Sequence, residues 1–420
     1  MSFDTISVIG LGYIGLPTAA AFASRKKNVV GIDVNKHAVE TINRGEIHIV
    51  EPDLDTLVKA AVENGYLRAA NKPVAADAFL IAVPTPFKGD HEPDMAYVRA
   101  AAESIAPVLK KGDLVILEST SPVGATEQMA EWLAQARSDL TFPQQAGDAA
   151  DINIAYCPER VLPGQVVVEL IKNDRVIGGM TPACSARASE LYKIFLEGEC
   201  VVTNSRTAEM CKLTENSFRD VNIAFANELS LICAEQNINV WELIRLANRH
   251  PRVNILQPGP GVGGHCIAVD PWFIVAQNPQ QARLIHTARL VNDGKPLWVV
   301  DRVKAAVADY LAQSDKRASE VTVACFGLAF KPDIDDLRES PAVEITDMIA
   351  QWHAGTTLAV EPNVKQLPAA LAGHVQLVDT AAALRDADVL VMLVDHRQFK
   401  AVNPGDVAQN WVIDTKGVWR

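Results

Sequence analysis

Residues Thr5–Val34 read TISVIGLGYIGLPTAAAFASRKKNVVGIDV, and this stretch decides the fold. Its opening, TISVIGLG, is apolar and β-branched, as a strand covered on both faces must be. Gly10, Gly12 and Gly15 follow in the spacing G-x-G-x-x-G. YIGLPTAAAFASRK then reads as a helix and NVVGIDV as a second strand. Alone the hexapeptide is weak. Between a strand and a helix it predicts a dinucleotide site. The glycines allow a tight turn and close approach of a pyrophosphate, and the helix N-terminus offers unpaired N–H groups. Tyr13 and Ile14 lie within that turn. Asp33 ends the second strand about 20 residues on, where a carboxylate binds a ribose 2′-hydroxyl and repels a 2′-phosphate. NAD is therefore favoured over NADP. A glycine turn without a ligand is the alternative, and strand, helix and acid together argue against it.

Working outward, AFLIAVPTP, DLVILESTSP and INIAYCPERV read as further strands that end in polar or proline-bearing loops. The order βαβα predicts a doubly wound sheet up to about Val202. Thr85, Thr120 and Thr126 fall beyond strand ends, where ligands bind in such sheets. Turn formation explains them equally well. From Ser205 the pattern becomes helical: TAEMCKLTENSFRDVNIAFANELSLICAEQ has apolar residues at helical spacing and lacks proline and glycine. Lys212, Asn216 and Arg219 share one face of it. They suit an anionic or oxygen-rich ligand, or else a solvated face with a Glu215–Arg219 pair. VWELIRLANRH is a second helix. After the polar break AQSDKRASE, the segments EVTVACFGLAF, TTLAVEP, ADVLVMLVD and WVIDTKG read as four strands. The expected architecture is α/β, with two doubly wound Rossmann-like domains joined by a long central helix. Its expected parts are residues 1–203, 204–312 and 313–420, the middle one carrying catalytic residues and a dimer contact.

The chain has 420 residues, 49% hydrophobic and 21% charged, with a net charge of −12. That sign argues against a nucleic-acid surface, yet a local basic pocket can still hold an anionic ligand. Seven cysteines, an odd count without CxxC, predict reduced thiols rather than disulfides or a metal site. Neither a signal peptide nor a membrane-spanning run is legible, which predicts a cytoplasmic protein.

One cysteine stands apart. PGVGGHCIAVDP, from Pro260 to Pro271, sets Cys266 behind Gly261, Gly263 and Gly264 and ahead of Asp270. Glycines let a ligand approach the main chain, so the loop suggests a thiol held out toward one. A small buried hydrophobe is the usual fate of a lone cysteine.

Seven ordered motifs together resemble the UDP-glucose/GDP-mannose dehydrogenase family: GLGYIGLP, STSPVGAT, CPERVLPG, AEMCKLTENSFRDVNIAFANEL, GPGVGGHCIAVDP, GLAFKPDIDDLRESP and DTKG. ERVLPG and RHPRVNILQPGPGVGGHC are similar to the branch acting on 2-acetamido sugars. The resemblance implies an NAD-dependent, four-electron oxidation of the C6 hydroxymethyl of a UDP-sugar. UDP-N-acetyl-D-mannosamine going to its uronate, for a surface polysaccharide of the enterobacterial common antigen type, is the implied reaction. A UDP-N-acetylglucosamine 6-dehydrogenase and a single-step hydroxyacid-type dehydrogenase are the alternatives. The resemblance makes Cys266 the nucleophile, Lys212 and Asn216 its oxyanion and proton partners, and Asp270 the acid that steadies the loop. It places Thr120 and Glu159 at cofactor and catalytic water, and Arg338 at the cofactor pyrophosphate. Arg160, Val161, Leu162, Arg219, Gly263, Phe330, Lys331 and Lys416 become substrate contacts. His250 and Arg252 become a segment that reaches a partner's substrate in a homodimer.

Overall fold

The computed structural model describes residues 3–49, 51–89, 91–161, 164–264, 266–407 and 410–419. The chain forms two compact units, Met1–Glu215 and Asn216–Arg420.

The first unit contains β1 (Thr5–Ile9), β2 (Asn28–Ile32), β3 (Leu67–Ala70), β4 (Ala78–Ile81), β5 (Leu114–Leu117), β6 (Asn153–Tyr156), β7 (Arg175–Gly179) and β8 (Cys200–Asn204). They make one sheet in the order β8-β7-β6-β5-β4-β1-β2-β3. β1 pairs in parallel with both β2 and β4, so the winding reverses beside it. Each central strand is buried on both faces. Ala78 and Leu80 enter one core, with Leu16 and Phe22; Phe79 and Ile81 enter the other, with Met129 and Leu133. Burying one such aliphatic side chain contributes about 1.5–3 kcal/mol, which is why these runs tolerate no alternation with polar residues. At the outer edge β7 runs antiparallel to β6 and parallel to β8.

The helices that position the site are labelled α1 to α7. In the first unit these are α1 (Gly15–Ser24) and α2 (Ala125–Ala136). The expected long helix is α3 (Ser205–Glu235), 31 residues that run from the first unit into the second.

The second unit adds α4 (Val240–Ala247), α5 (Asp270–Gln277), α6 (Arg283–Ala312) and α7 (Pro341–Trp352). Its strands are β9 (Thr322–Phe326), β10 (Thr356–Val360), β11 (Gln376–Leu377), β12 (Val389–Met392) and β13 (Trp411–Asp414). They form a parallel sheet in the order β11-β10-β9-β12-β13. Val323 and Cys325 pack under α6 and α7, while Ala324 and Phe326 pack on the opposite face with Phe399 and Trp419.

Helices α3 and α6 are tied by buried polar groups. Arg289 Nη1 donates to Asp220 Oδ1 at 2.5 Å, and Asn292 Nδ2 donates to the same oxygen at 2.8 Å. Asn292 Oδ1 in turn accepts from Asn227 Nδ2 at 2.8 Å. Breaking such a pair by removing one partner costs about 3–5 kcal/mol, because a charge is left buried.

Candidate active site

The glycine turn of the first unit separates into fold and ligand positions. Gly10 has φ +92°, and a Cβ there would lie 2.5 Å from the Ala82 carbonyl oxygen. A Cβ on Gly15 would lie 1.8 Å from the Gly10 oxygen. The fold itself requires both. Among the described residues nothing lies within 4 Å of a Cβ on Gly12, so the space beside it is open to a ligand. No side chain caps α1 and no acid sits in its first turn, which leaves its N-terminal amides and dipole to an anion. Tyr13 is exposed and Ile14 half-buried beside it. Asp33 Oδ2 accepts from Leu11 N at 2.9 Å and Oδ1 from Asn35 N at 2.8 Å, which fixes the carboxylate next to the turn. These features fit a dinucleotide with its pyrophosphate on α1.

Thr85 and Thr120 are brought together, the Thr85 hydroxyl donating to the Thr120 carbonyl at 2.5 Å. Thr126 sits in the first turn of α2. It is buried, and its hydroxyl donates to Glu209 Oε1 at 2.6 Å. Glu209 also accepts from the amides of Thr126 and Gly124, at 2.8 and 2.7 Å. The Thr126 side chain thus holds the start of α2 to α3.

Glu159 lies in a buried cluster that the sequence did not reveal. Its Oε2 accepts from Arg175 Nη2 at 2.5 Å and its Oε1 from the Arg160 amide at 2.7 Å. Arg175 also stands 3.6 Å from Glu118 Oε1, which accepts from the Tyr192 hydroxyl at 2.6 Å. Burial pushes Glu118 up to about 7, against the pull of Arg175. Arg160 pairs with Glu215 at 2.7 Å, so the anticipated Glu215–Arg219 pair gives way to this one. Val161 packs on the core of the first unit, and Leu162 lies outside the described residues. Among the described residues of the first unit no carboxylate pairs with half-buried Lys212.

In the second unit Asn216 Nδ2 donates to Asp270 Oδ2 at 2.5 Å, both groups being buried. Asp270 is the first residue of α5. Its amide and that of Val269 donate to the Cys266 carbonyl, at 2.8 and 3.2 Å, so the cysteine turn leads directly into the helix. Cys266 is exposed.

The glycines before it do more than admit a ligand. A Cβ on Gly263 would lie 2.4 Å from the Glu339 carbonyl and 2.8 Å from Phe330 Cβ; one on Gly264, at φ +80°, would lie 3.0 Å from the Phe330 ring. The loop is bare because it packs against residues 330–341. Asn227 Oδ1 fixes its start by accepting from Gly259 N at 2.9 Å. Phe330 and Lys416 line one cavity of about 140 Å³ with Gly259, Gly261 and Gln257. Lys416 Nζ lies 3.4 Å from Asp395 Oδ1. Lys331 is half-buried, and Arg219 is exposed. Arg338 is held by Asp336 at 2.6 and 2.8 Å, which leaves three of its five N–H donors outside these two bonds. His250 and Arg252 are exposed, with Arg252 N donating to His250 Nδ1 at 3.3 Å.

Three consecutive segments match known domains. Residues 4–196 match the NAD binding domain of the UDP-glucose/GDP-mannose dehydrogenase family, 206–294 its central domain and 324–420 its UDP binding domain. The chain is 85% identical over 420 residues to a UDP-N-acetyl-D-mannosamine dehydrogenase of Yersinia pestis, covering all of both chains. It is 80% identical to the protein of the same description from Escherichia coli K12, again over the whole of both. Among solved structures, the UDP-D-ManNAc dehydrogenase of Pyrococcus horikoshii superimposes with a TM-score of 0.88 at 36% identity, over 99% of this chain and 96% of that one. The chain is a member of the UDP-glucose/GDP-mannose dehydrogenase family, and so an NAD-dependent nucleotide-sugar dehydrogenase.

Proposed function

We propose that the protein oxidises the C6 hydroxymethyl of UDP-N-acetyl-D-mannosamine to the carboxylate, using two NAD, for surface polysaccharide synthesis. The observation that carries the reading is exposed Cys266, held by a packed glycine loop at the head of α5 whose first carboxylate is fixed by Asn216. The full-length identity to proteins of that description supports the sugar.

The glycine turn, the N-terminus of α1 and Asp33 would hold NAD, which would supply the hydride acceptor for each oxidation at C6. In the first, the hydroxymethyl becomes an aldehyde and releases a proton; Lys212 assists its departure. The Cys266 thiolate then adds to the aldehyde carbon, and the oxygen takes up a proton, forming a thiohemiacetal. Losing hydride and a proton, this adduct becomes a thioester. Water attacks the thioester carbon, the C–S bond breaks, and the carboxylate and the thiol are released. Lys212 and Asn216 donate to the oxyanion of each tetrahedral species. Glu159 takes the proton of the attacking water through a lone pair that Arg175 and the Arg160 amide leave open. Phe330, Lys331 and Lys416 hold the nucleotide, with Arg160, Val161, Arg219 and Gly263 toward the sugar; Leu162, also expected there, lies outside the described residues.

The enzyme works as a cytoplasmic homodimer, with a central segment of 204–312 between parts 1–203 and 313–420. Phe218, Phe225 and Ile232 recur every seven residues along α3 and are exposed, as are Leu290 and Leu297 on α6. Such an apolar face suits a second copy of the chain. His250 and Arg252, exposed on a nearby stretch of sequence, reach the partner's substrate.

The test is a panel of UDP-N-acetylmannosamine, UDP-N-acetylglucosamine and UDP-glucose with NADH counted against sugar consumed. Two NADH per UDP-N-acetylmannosamine, with the uronate as product, is the expected result. One NADH per sugar, or turnover of UDP-glucose alone, overturns the proposal.

A further inference from the structure

Helix α6 buries a lysine that no carboxylate neutralises. Lys295 is 2% exposed. Its ammonium meets the Ser230 hydroxyl and stands 4.2 Å from the centre of the Trp298 ring. Among the described residues no Asp or Glu oxygen pairs with it. An isolated buried ammonium is unfavourable, and burial alone pulls this one down to about 7.

The amine lines a cavity of about 240 Å³ together with Trp241, Trp298, Ile238 and Val412. This cavity shares no lining residue with the one that contains Phe330 and Lys416. Three other titratable or charged groups line it: Cys233 from α3, Arg302 from α6 and Asp414 from β13. Asp414 is engaged by its own turn, its two oxygens accepting from the amides of Lys416, Gly417 and Trp419. Arg302 is exposed and adds a second positive charge. The walls therefore combine two indoles and branched aliphatic groups with the polar side chains of Ser230, Asn237 and Thr415, and Lys295 is the cation sunk among them. A neutral guest would leave the ammonium uncompensated. A bare inorganic anion would leave the indoles facing water.

We propose that this cavity binds a small organic acid, its carboxylate paired with Lys295 and its compact, planar apolar body laid against Trp241 and Trp298. Nothing in the dehydrogenase chemistry uses these side chains, so the site stands independently of it. Because the guest pairs with the ammonium, binding takes up a proton at neutral pH. Affinity falls as pH rises through the titration of the empty site and is flat below it.

The experiment is isothermal titration of the full-length protein with benzoate at pH 6.5 and 8.5, repeated with inorganic phosphate. One saturable benzoate site per chain is expected, weakening roughly twenty-fold between the two pH values as the charged fraction falls. Lys295→Met should bind at least about tenfold more weakly at pH 6.5 while melting no lower than the parent, since it removes a buried charge. Lys295→Arg, permanently charged, should lose the pH dependence. Should either variant fold poorly, proton uptake by the unmodified protein, read from buffers of different ionisation heat, decides the question alone. Absence of saturable benzoate binding, equal affinity at both pH values, undiminished binding by a folded Lys295→Met, or phosphate binding as tightly as benzoate each overturns the proposal.

Discussion

Asn216 and Asp270 meet at 2.5 Å in a buried hydrogen bond that fastens the long helix α3 to the head of the helix following Cys266. Each group lies away from water. Removing one takes this buried hydrogen bond from the other, at about 1–3 kcal/mol. Asp270→Ala and Asn216→Ala should each lower stability by that order. The double variant should lose less than the sum, with a coupling of roughly 1–3 kcal/mol in urea unfolding. Strictly additive losses would show that the bond does not position the loop. Turnover should fall in both singles, since the cysteine turn starts from the Asp270 amide.

Two glycines that look alike should respond differently to alanine. Gly12→Ala meets open space in the protein, so its melting temperature should be unchanged while KM for NAD rises at least about tenfold. Gly263→Ala drives a methyl to 2.4 Å from the Glu339 carbonyl, so it should destabilise by about 1–3 kcal/mol or more and lower kcat through a displaced Cys266. Thermal melts and NAD titrations of the two variants separate these roles. An unstable Gly12→Ala would refute the ligand assignment.

The Cys266 thiol should be needed for the second oxidation alone. Cys266→Ala should still interconvert alcohol and aldehyde slowly but make no uronate. Cys266→Ser should stall after partial oxidation or as a covalent ester, since serine oxygen is a poorer nucleophile and its ester hydrolyses less readily. Intact-protein mass spectrometry after a single turnover reads the ester directly. Uronate formed at the unmodified rate by either variant would remove the nucleophile.

Glu118 gives the protein a pH dependence of known sign. Its folded value is about 7 against an ordinary 4.5, so the native state holds a proton that the unfolded chain releases. Stability from this group is therefore greatest at low pH, declines as pH rises from about 4.5 to 7, and is level above. The full swing is about 3 kcal/mol. Glu118→Gln, which keeps an acceptor for Tyr192, should flatten that part of the curve. Denaturant midpoints from pH 4.5 to 8 for parent and variant make the comparison; parallel curves would contradict it.

Much of this was legible in the sequence because it depends on near neighbours. The glycine turn, Asp33 and the two-faced strands declare themselves in runs of a few residues, and the 31-residue helix α3 contains no proline or glycine to obscure it. The 30-residue α6 is harder to read, since Gly294 and Pro296 stand inside it as breakers while its packing keeps it whole. Strand β7 carries Arg175 and two glycines, so neither its burial nor its reversed direction shows in composition. Arg175 itself answers to Glu118 and Glu159, which are distant in sequence. The same is true of Arg160 with Glu215, where the helical spacing suggested Arg219 instead. The loop before Cys266 shows the limit plainly: its glycines were visible, but the neighbours that demand them, Phe330 and Glu339, belong to a later domain motif.

The burial of the other thiols has a practical consequence. Burial pushes Cys157 and Cys325 up to about 12, Cys184 and Cys233 are buried as well, and burial also raises half-buried Cys200 and Cys211. An alkylating reagent at neutral pH therefore meets a chain in which one sulfur reacts long before the rest. Brief exposure to iodoacetamide becomes a headcount: moles of label bound report how many molecules in a preparation are still competent, and a UDP-sugar that shields the label reports how many are occupied.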